Sequence, residues 1–123
     1  MEKAQALYNF FNSFGIPAYD STVVPDFAYF PYLTYQYLDD SIGESVPLSV
    51  NIYYRSSSKK DITLKTKEIA KRIKEYGFVS LPFDDGYIYI YADTPFAQSL
   101  EEPSDTMIKR MFINLRIEFL CKY

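Results

Sequence analysis

Side chains that could act chemically on a substrate are scarce in this chain of 123 residues. It contains no histidine and one cysteine, Cys121. A serine or cysteine nucleophile usually depends on an adjacent base, most often histidine, so no Ser-His or Cys-His pair can form. A lone cysteine also cannot form a disulfide within the chain, which is typical of a protein made in a reducing compartment.

Carboxylates are the remaining candidates for binding a metal. They occur as three adjacent acidic pairs, each in a predicted turn or beside a proline, where such residues are common for conformational reasons. The four glycines are dispersed, so the sequence holds no phosphate-binding loop. We therefore predict no enzymatic activity, no metal site and no cofactor. The acidic pairs are Asp39/Asp40, Asp84/Asp85 and Glu101/Glu102.

The first half of the chain is predicted to form one helix and a hairpin. Apolar residues at helical spacing predict a helix over residues 2–14. Residues 16–31 contain three prolines and are predicted to form a connecting segment between the helix and the first strand, with a short extended piece at 23–24. Strands are predicted over 32–38 and 46–55, paired antiparallel because the polar turn between them is short. The predicted apolar stripe of the helix comprises Ala4, Leu7, Phe10, Phe11 and Phe14.

A second helix is predicted over residues 61–76. Asp61 is the expected N-cap, with Ser58 as the alternative, and Gly77 is the expected C-terminal cap. The helix is amphipathic, and its apolar stripe should face the core. That stripe comprises Ile62, Thr66, Ile69, Ala70, Ile73 and Tyr76.

The remaining segments complete a fold of the α+β class, predicted as one domain over residues 1–123. Strands are predicted over 78–82, 87–92 and 107–120, and residues 93–106 as a long, mostly irregular connection. The predicted order is α-β-β-α-β-β-β, with two helices on one face of a mostly antiparallel sheet.

The opposite sheet face is predicted to be polar and rich in tyrosine. The chain contains 13 tyrosines, whose rings are costly to leave wholly in water. Either residues 93–106 or another subunit should therefore cover this face. Its predicted members are Tyr32, Thr34, Gln36, Ser49, Asn51, Tyr53, Tyr87, Tyr89, Tyr91, Asn114, Arg116 and Glu118.

Charge is distributed unevenly along the chain. Residues 55–76 hold eight basic and three acidic residues, whereas the net charge of the whole chain is −3. The local balance is therefore +5 and that of the remainder −8. A basic helix on an acidic body favours head-to-tail docking between copies. The alternative is a small nucleic-acid-binding protein that uses the basic helix 61–76.

The N-terminal half of the sequence resembles a known family. A short N-terminal helix and a proline-rich link precede a strand that begins Pro-Tyr-x-Thr-Tyr. The helical part is the segment Ala4-Gln5-Ala6-Leu7-Tyr8-Asn9-Phe10-Phe11-Asn12-Ser13-Phe14-Gly15-Ile16-Pro17-Ala18-Tyr19, and the strand is Pro31-Tyr32-Leu33-Thr34-Tyr35. This combination resembles the tail terminator, or tail-to-head joining, proteins of long-tailed bacteriophages and prophages of Gram-positive bacteria. The later order of elements is similar to that group in outline.

The resemblance implies a structural virion protein without catalysis or cofactor. It implies a ring of copies, expected to be a hexamer, that caps the tail tube and joins it to the head connector protein. DNA would only pass through the channel. Another head–tail joint component is the alternative within this class.

The expected location is the head-tail junction of the virion, after assembly in the host cytoplasm. No apolar run approaches the ~20 residues that span a bilayer, so no membrane association is expected. Our hypothesis for the subunit interface or channel comprises Asn51, Tyr53, Lys71, Arg72, Arg116 and Glu118.

Overall fold

The structure is a computed structural model that describes residues 1–37 and 45–121, with Cys121 described by its backbone alone. The polar turn predicted over residues 39–44 lies outside the described residues. The described elements are α1 (Lys3–Asn12), β1 (Ala18–Asp20), β2 (Tyr32–Tyr37), β3 (Ser45–Arg55), α2 (Lys60–Lys74), β4 (Val79–Phe83), β5 (Gly86–Glu101) and β6 (Ile108–Cys121).

The strands form one six-stranded sheet in the order β1-β2-β3-β6-β5-β4. All neighbouring pairs are antiparallel except β1 and β2, which run parallel. The α+β class, the mostly antiparallel sheet and the hairpin of β2 and β3 are therefore confirmed. The predicted element order is wrong, because the short strand β1 lies between α1 and β2 in a segment predicted to be a connection.

The core lies between one face of the sheet and the two helices. Alternate residues of β3 and β6 are buried, and their register places them side by side: Leu48 opposite Leu115 and Val50 opposite Ile113. The predicted helical stripes need correction at their ends. Ala4 is exposed while Ala6 is buried, and Tyr76 lies beyond the end of α2 with 81% of its surface exposed.

The sheet curls around α1, because that helix packs against β1 and β4, the two edge strands. Near β1, the ring of Phe11 stacks on Tyr35 with centroids 4.6 Å apart. Near the β4–β5 turn, the backbone N–H of Asp84 donates to the carbonyl of Met1 at 2.8 Å. Helix α2 is tied to the same layer by Lys65, whose Nζ donates to the carbonyl of Phe14 at 2.6 Å.

Strand β5 is longer than the sequence pattern predicted. Residues 93–106 were predicted to be irregular, yet β5 runs to Glu101. Pairing with β6 is interrupted between Ala92 and Ala97 and then resumes with Ala97 opposite Ile113. Pro95 lies inside this irregularity, where its missing N–H costs no ladder hydrogen bond. Proline therefore marks a bulge here and does not end the strand.

The start of α2 also differs from the prediction. The N-cap position is Lys59, and Asp61 lies inside the first turn. Its carboxylate there is favourably placed relative to the positive end of the helix dipole. The hydroxyl of Ser58 accepts a hydrogen bond from the backbone N–H of Lys60 at 3.3 Å. Gly77 has φ +87° just past the helix end, as expected for a terminating glycine.

Substitution of Gly77 tests how strongly its backbone conformation limits the choice of residue. An added Cβ would meet no heavy atom within 4 Å, so the cost of Gly77→Ala is the backbone strain alone. We expect the free energy of unfolding to fall by about 1 kcal/mol, measured by urea denaturation. Gly77→Asn should lose less, because asparagine tolerates the left-handed region. Equal stability of Gly77→Ala and wild type would contradict this.

Burial of Tyr35 should make the fold sensitive to alkali. Burial, followed by the charge of Asp20, raises the pKa of the Tyr35 phenol to about 12. An unfolded phenol titrates near ~10, so the neutral phenol stabilises the fold fully below that pH, and this contribution is lost as the pH rises to about 12.

The variant Tyr35→Phe removes this titration. We expect its free energy of unfolding to fall less than that of wild type across this alkaline window, as measured by urea denaturation at successive pH values. Around neutral pH, the free energies of unfolding of the two proteins should show the same dependence on pH. Identical losses for both proteins in the alkaline window would contradict the assignment.

Candidate functional site

The sheet face opposite the helices is a continuous polar and aromatic surface. Cross-strand register aligns Tyr32 with Tyr53 and Arg110, and Thr34 with Asn51 and Phe112. It likewise aligns Ser45 with Glu118 and Tyr89. We call this surface the open sheet face and define it by Tyr32, Gln36, Ser45, Ser49, Asn51, Tyr53, Tyr89, Tyr91, Arg110, Phe112, Asn114, Arg116 and Glu118. Thr34, which was predicted to belong to it, is buried.

Arg110 contacts two of the residues predicted for the subunit interface or channel, Asn51 and Tyr53. Its Nε donates to Oδ1 of Asn51 at 2.9 Å, and its guanidinium lies 5.9 Å from the ring centroid of Tyr53. Its Nη1 lies 3.7 Å from a carboxylate oxygen of Glu102. The predicted residues Asn51 and Tyr53 are therefore both arranged around one partly exposed guanidinium.

An aromatic cluster adjoins Arg110 at the β1–β3 end of the face. The rings of Tyr32 and Tyr53 stack with centroids 4.9 Å apart. Phe30 and Tyr19 lie 5.5 and 6.3 Å from the ring of Tyr32. Burial raises the pKa of Tyr32, and the nearby Tyr53 and Glu102 raise it further. The phenol of Tyr32 therefore stays neutral, and so suited to hydrogen bonding, well into alkaline pH.

Arg116 is already engaged within its own chain. Its Nε donates to the hydroxyl of Ser45 at 2.7 Å, and its Nη2 donates to the Ser45 carbonyl at 3.1 Å. Its Nη1 lies 3.7 Å from a carboxylate oxygen of Asp93. Arg116 thus fixes the first residue of β3 against β6 and the bulge of β5, while 42% of its side chain remains exposed.

A second aromatic cluster covers the other end of the face. Phe78 lies 5.3 Å from the ring of Tyr89 and 5.6 Å from that of Tyr91, and Tyr87 stacks near Tyr89 at 6.4 Å. Burial raises the pKa of Tyr91, followed by the charge of Glu118. Tyr87 and Phe78 keep 51% and 40% of their surface exposed, so the cluster still presents rings to solvent.

Lys71 and Arg72 belong to a different surface from the other predicted site residues. They lie on α2, and the buried side of that helix packs against the sheet from the core side. The guanidinium of Arg72 lies 5.5 Å from the ring centroid of Phe10, so it packs against α1. Lys71 is exposed. The six predicted residues therefore divide into four on the open sheet face and two on α2.

Comparison of the chain with protein-family models, curated proteins and solved structures finds no match. The function must therefore be argued from the surfaces described above.

The site residues predicted from the sequence did not include Arg110, nor the acids that pair with Arg110, Arg116 and Arg55. Arg110 stands at the same alternating position of β6 as Arg116, and this period-two pattern assigned it to the same side of the predicted strand, but the site hypothesis did not include it. Of Asp93, Glu102 and Asp105, only Glu102 was considered, as part of an acidic pair in a segment predicted to be irregular. Their carboxylates lie beside Arg116, Arg110 and Arg55, respectively.

The predicted acidic pairs do not converge into a metal site in the described structure. Asp84 contacts the N-terminal amino group, Glu102 pairs with Arg110, and Asp39/Asp40 lie outside the described residues. Within residues 1–37 and 45–121, no three Cys, Asp or Glu side chains are grouped so that they could hold a metal ion. No helix in those residues is long and apolar enough to cross a membrane.

Loss of the Asp105 carboxylate charge should destabilise the protein at neutral pH and not in strong acid. The Met107 backbone N–H donates to Oδ1 of Asp105 at 2.9 Å, and Nη2 of Arg55 donates to its Oδ2 at 3.2 Å. The backbone hydrogen bond is the main cause that lowers the pKa of Asp105, and Arg55 adds to it. Its stabilising contribution is therefore present above the ordinary carboxyl pKa and lost as the pH falls through the lowered value.

The variant Asp105→Asn should therefore have a lower melting temperature than wild type at neutral pH, with the difference shrinking in acid. The variant Arg55→Gln removes the charged partner of Asp105. Its difference in melting temperature from wild type should also shrink in acid, but by less than that of Asp105→Asn. A constant difference between Asp105→Asn and wild type from neutral to strongly acidic pH would contradict the role of the charge.

Proposed function

We propose that this chain is a structural virion protein, a tail terminator that assembles into a ring on the phage tail tube and joins it to the head connector. The observation that supports this most is the open sheet face. Its two aromatic clusters remain partly exposed, and its arginines and acids form a polar centre between them. Aromatic rings and arginine around a polar network are typical of surfaces that bind another protein.

A ring also needs two different surfaces on each subunit. The open sheet face and the exposed side of α2 lie on opposite sides of the molecule and differ in chemistry. Contacts between unlike surfaces are heterologous, and they form a closed ring when the rotation between subunits closes. The sequence resemblance to tail terminators supports the same assignment, with a hexamer as the expected ring, while another head–tail joint component would use the same surfaces.

The first test measures solution mass by light scattering over a range of concentrations, with negative-stain images of the same samples. We expect a closed ring, in free solution or on the ends of purified tail tubes. Binding to tail-tube and head connector proteins in a pull-down should accompany it. Failure to form rings alone, together with failure to cap tail tubes, would contradict the proposed function.

Charge reversal on each surface should weaken ring assembly. The variants are Arg116→Glu, and Lys71→Glu combined with Arg72→Glu. Each replaces a cation with an anion and should raise the concentration for half-assembly by about tenfold or more, since like charges across an interface are strongly unfavourable. The measurement is solution mass against concentration. Arg116→Gln is the control that removes the charge without reversing it and should have a smaller effect.

Because Arg116 binds Ser45 and Asp93 within the chain, folding of each variant should first be checked by circular dichroism. Folded variants that assemble as wild type does would show that these residues lie outside the contacts.

A small nucleic-acid-binding protein is the second candidate, favoured by the exposed lysines along α2. Binding of this kind would weaken steeply as salt increases, because phosphate contacts release counterions. We would measure duplex-DNA binding at several salt concentrations. Strong, salt-dependent binding without self-association would favour this candidate over the ring.

A further inference from the structure

A cleft lined by tyrosines lies where the N-terminal half of α1 meets the sheet edge formed by β1 and β2. Its volume is about 480 Å³. Tyrosines, two carboxylates and the amide of Gln5 supply the polar groups of its lining, and no lysine or arginine from residues 1–37 and 45–121 contributes. We call it the tyrosine cleft and define it by Glu2, Tyr8, Tyr19, Asp20, Tyr35 and Tyr37.

The polar groups of this cleft lie close to one another. Asp20 pairs in register with Tyr35, so both side chains project from the same face of the sheet. After burial, the charges that raise the pKa of Tyr35 come from Asp20, Tyr37 and Tyr8. Several aromatic rings beside carboxylates bind organic cations, because the ring faces and the carboxylates both attract positive charge.

An ordered apolar loop borders the tyrosine cleft. Val23 lines the cleft and is 69% exposed, while Phe27 and Tyr29 farther along the loop are 68% and 80% exposed. The loop is held by turns: the Thr22 N–H donates to Oδ1 of Asp20 at 2.9 Å, and the Ala28 N–H donates to the Pro25 carbonyl at 3.1 Å. The backbone of the loop is therefore held in turns while these large side chains are exposed to water, which is typical of a surface that contacts another protein.

The exposed side of α2 has the complementary chemistry. Lys60, Leu64, Lys67 and Lys71 are exposed and spaced by four, three and four residues, which places them along one side of the helix. Leu64 is 54% exposed in the middle of the three lysines. We call these four residues the lysine face. It offers cations around an apolar centre, whereas the tyrosine cleft and its loop offer carboxylates and rings beside an apolar edge.

We propose that the tyrosine cleft of one copy binds lysine side chains from the lysine face of a second copy, while the loop at Val23 and Phe27 packs against Leu64. The proposal deepens the ring function proposed above and rests on it, because it names one contact between subunits, in addition to any made by the open sheet face. All four residues of the lysine face are exposed in the single chain, so they are available for contact with a second copy. The two surfaces differ, so the contact is heterologous and can repeat around a ring.

Two variants each disable one side of this contact. Gln5→Lys adds a cation to the lining of the cleft at an exposed helical position where both residues favour helix. Lys67→Glu with Lys71→Glu reverses the lysine face. Each variant alone should raise the concentration for half-assembly by about tenfold or more, as measured by sedimentation velocity. Circular dichroism and the melting temperature verify folding.

Matched controls change the same charge elsewhere. Asn9→Lys adds a cation to the same helix but lines a different cavity, with Phe10 and Arg72. Lys59→Glu with Lys109→Glu removes the same charge outside the lysine face. Both controls should assemble as wild type does.

Mixing the two variants gives the sharpest test. In a 1:1 mixture, the intact lysine face of Gln5→Lys can bind the intact cleft of the Lys67→Glu/Lys71→Glu chain. We expect a complex of twice the 14.4 kDa chain mass that does not grow further. Combining all three substitutions in one chain should not restore assembly, because the cleft keeps Glu2 and Asp20, which repel the new glutamates.

A mixture that stays at the monomer mass, or variants that each assemble as wild type does, would overturn the proposal. Wild-type protein that remains monomeric up to millimolar concentration would also overturn it. Rings that survive all these substitutions would leave the ring function standing, whereas wild type that neither forms rings nor caps tail tubes would remove that function itself. If the Lys67→Glu/Lys71→Glu variant lost duplex-DNA binding but assembled as wild type does, these lysines would be assigned to phosphate binding. That result would overturn the proposed contact.

Discussion

The packing of helix α1 against both edges of the sheet is the constraint on which the rest of the structure depends. The helix buries Leu7 and Phe11 completely, and each such side chain stabilises the fold by roughly 1.5–3 kcal/mol. Because α1 reaches β1 at one edge and β4 at the other, the sheet must curl around it. The concave side is then filled by helices, and the opposite side is left facing outward as the open sheet face.

The polar network on that outward face orients segments more than it stabilises the fold. Exposed ion pairs contribute only about 0–1 kcal/mol each, because water screens them and the side chains lose freedom. The main effect of the Arg110 and Arg116 contacts is to hold chain segments in position. Arg116 holds the start of β3 and the β5 bulge in place, while Arg110 joins Asn51 to Glu102. The rings around them are therefore presented in a defined arrangement, which suits a surface that must fit a partner.

The packing of α2 against the core side of the sheet places this basic helix away from the open sheet face. One stripe of α2 is buried against the sheet, so Lys60, Lys67 and Lys71 point outward on the side opposite the open sheet face. Arg72 and Lys65 are drawn back onto the molecule, over Phe10 and to the carbonyl of Phe14, respectively. The chain consequently has an aromatic surface, a tyrosine cleft at one edge and a lysine face, and this lack of symmetry suits assembly from head to tail.

The sequence by itself determined the class of fold, both helices and the faces of the long strands. These features follow from local periodicity: alternation in β3 and β6 separates core from surface, and the spacing of Ile62, Ile69 and Ile73 does so in α2. It also placed Asn51, Tyr53, Arg116 and Glu118 together, since alternation alone assigns them to one face.

Only the tertiary structure decided the features that depend on contacts between distant segments. Strand β1 has three residues and forms because β2 offers an edge, so no local pattern marks it. Strand β5 continues past Pro95 because β6 pairs with it on both sides of a bulge, which overrides the usual meaning of proline. Arg110 and Glu102 lie eight residues apart, but their contact depends on how β5 returns alongside β6. Residues that are close in space because the chain returns on itself leave no periodic signal in the sequence.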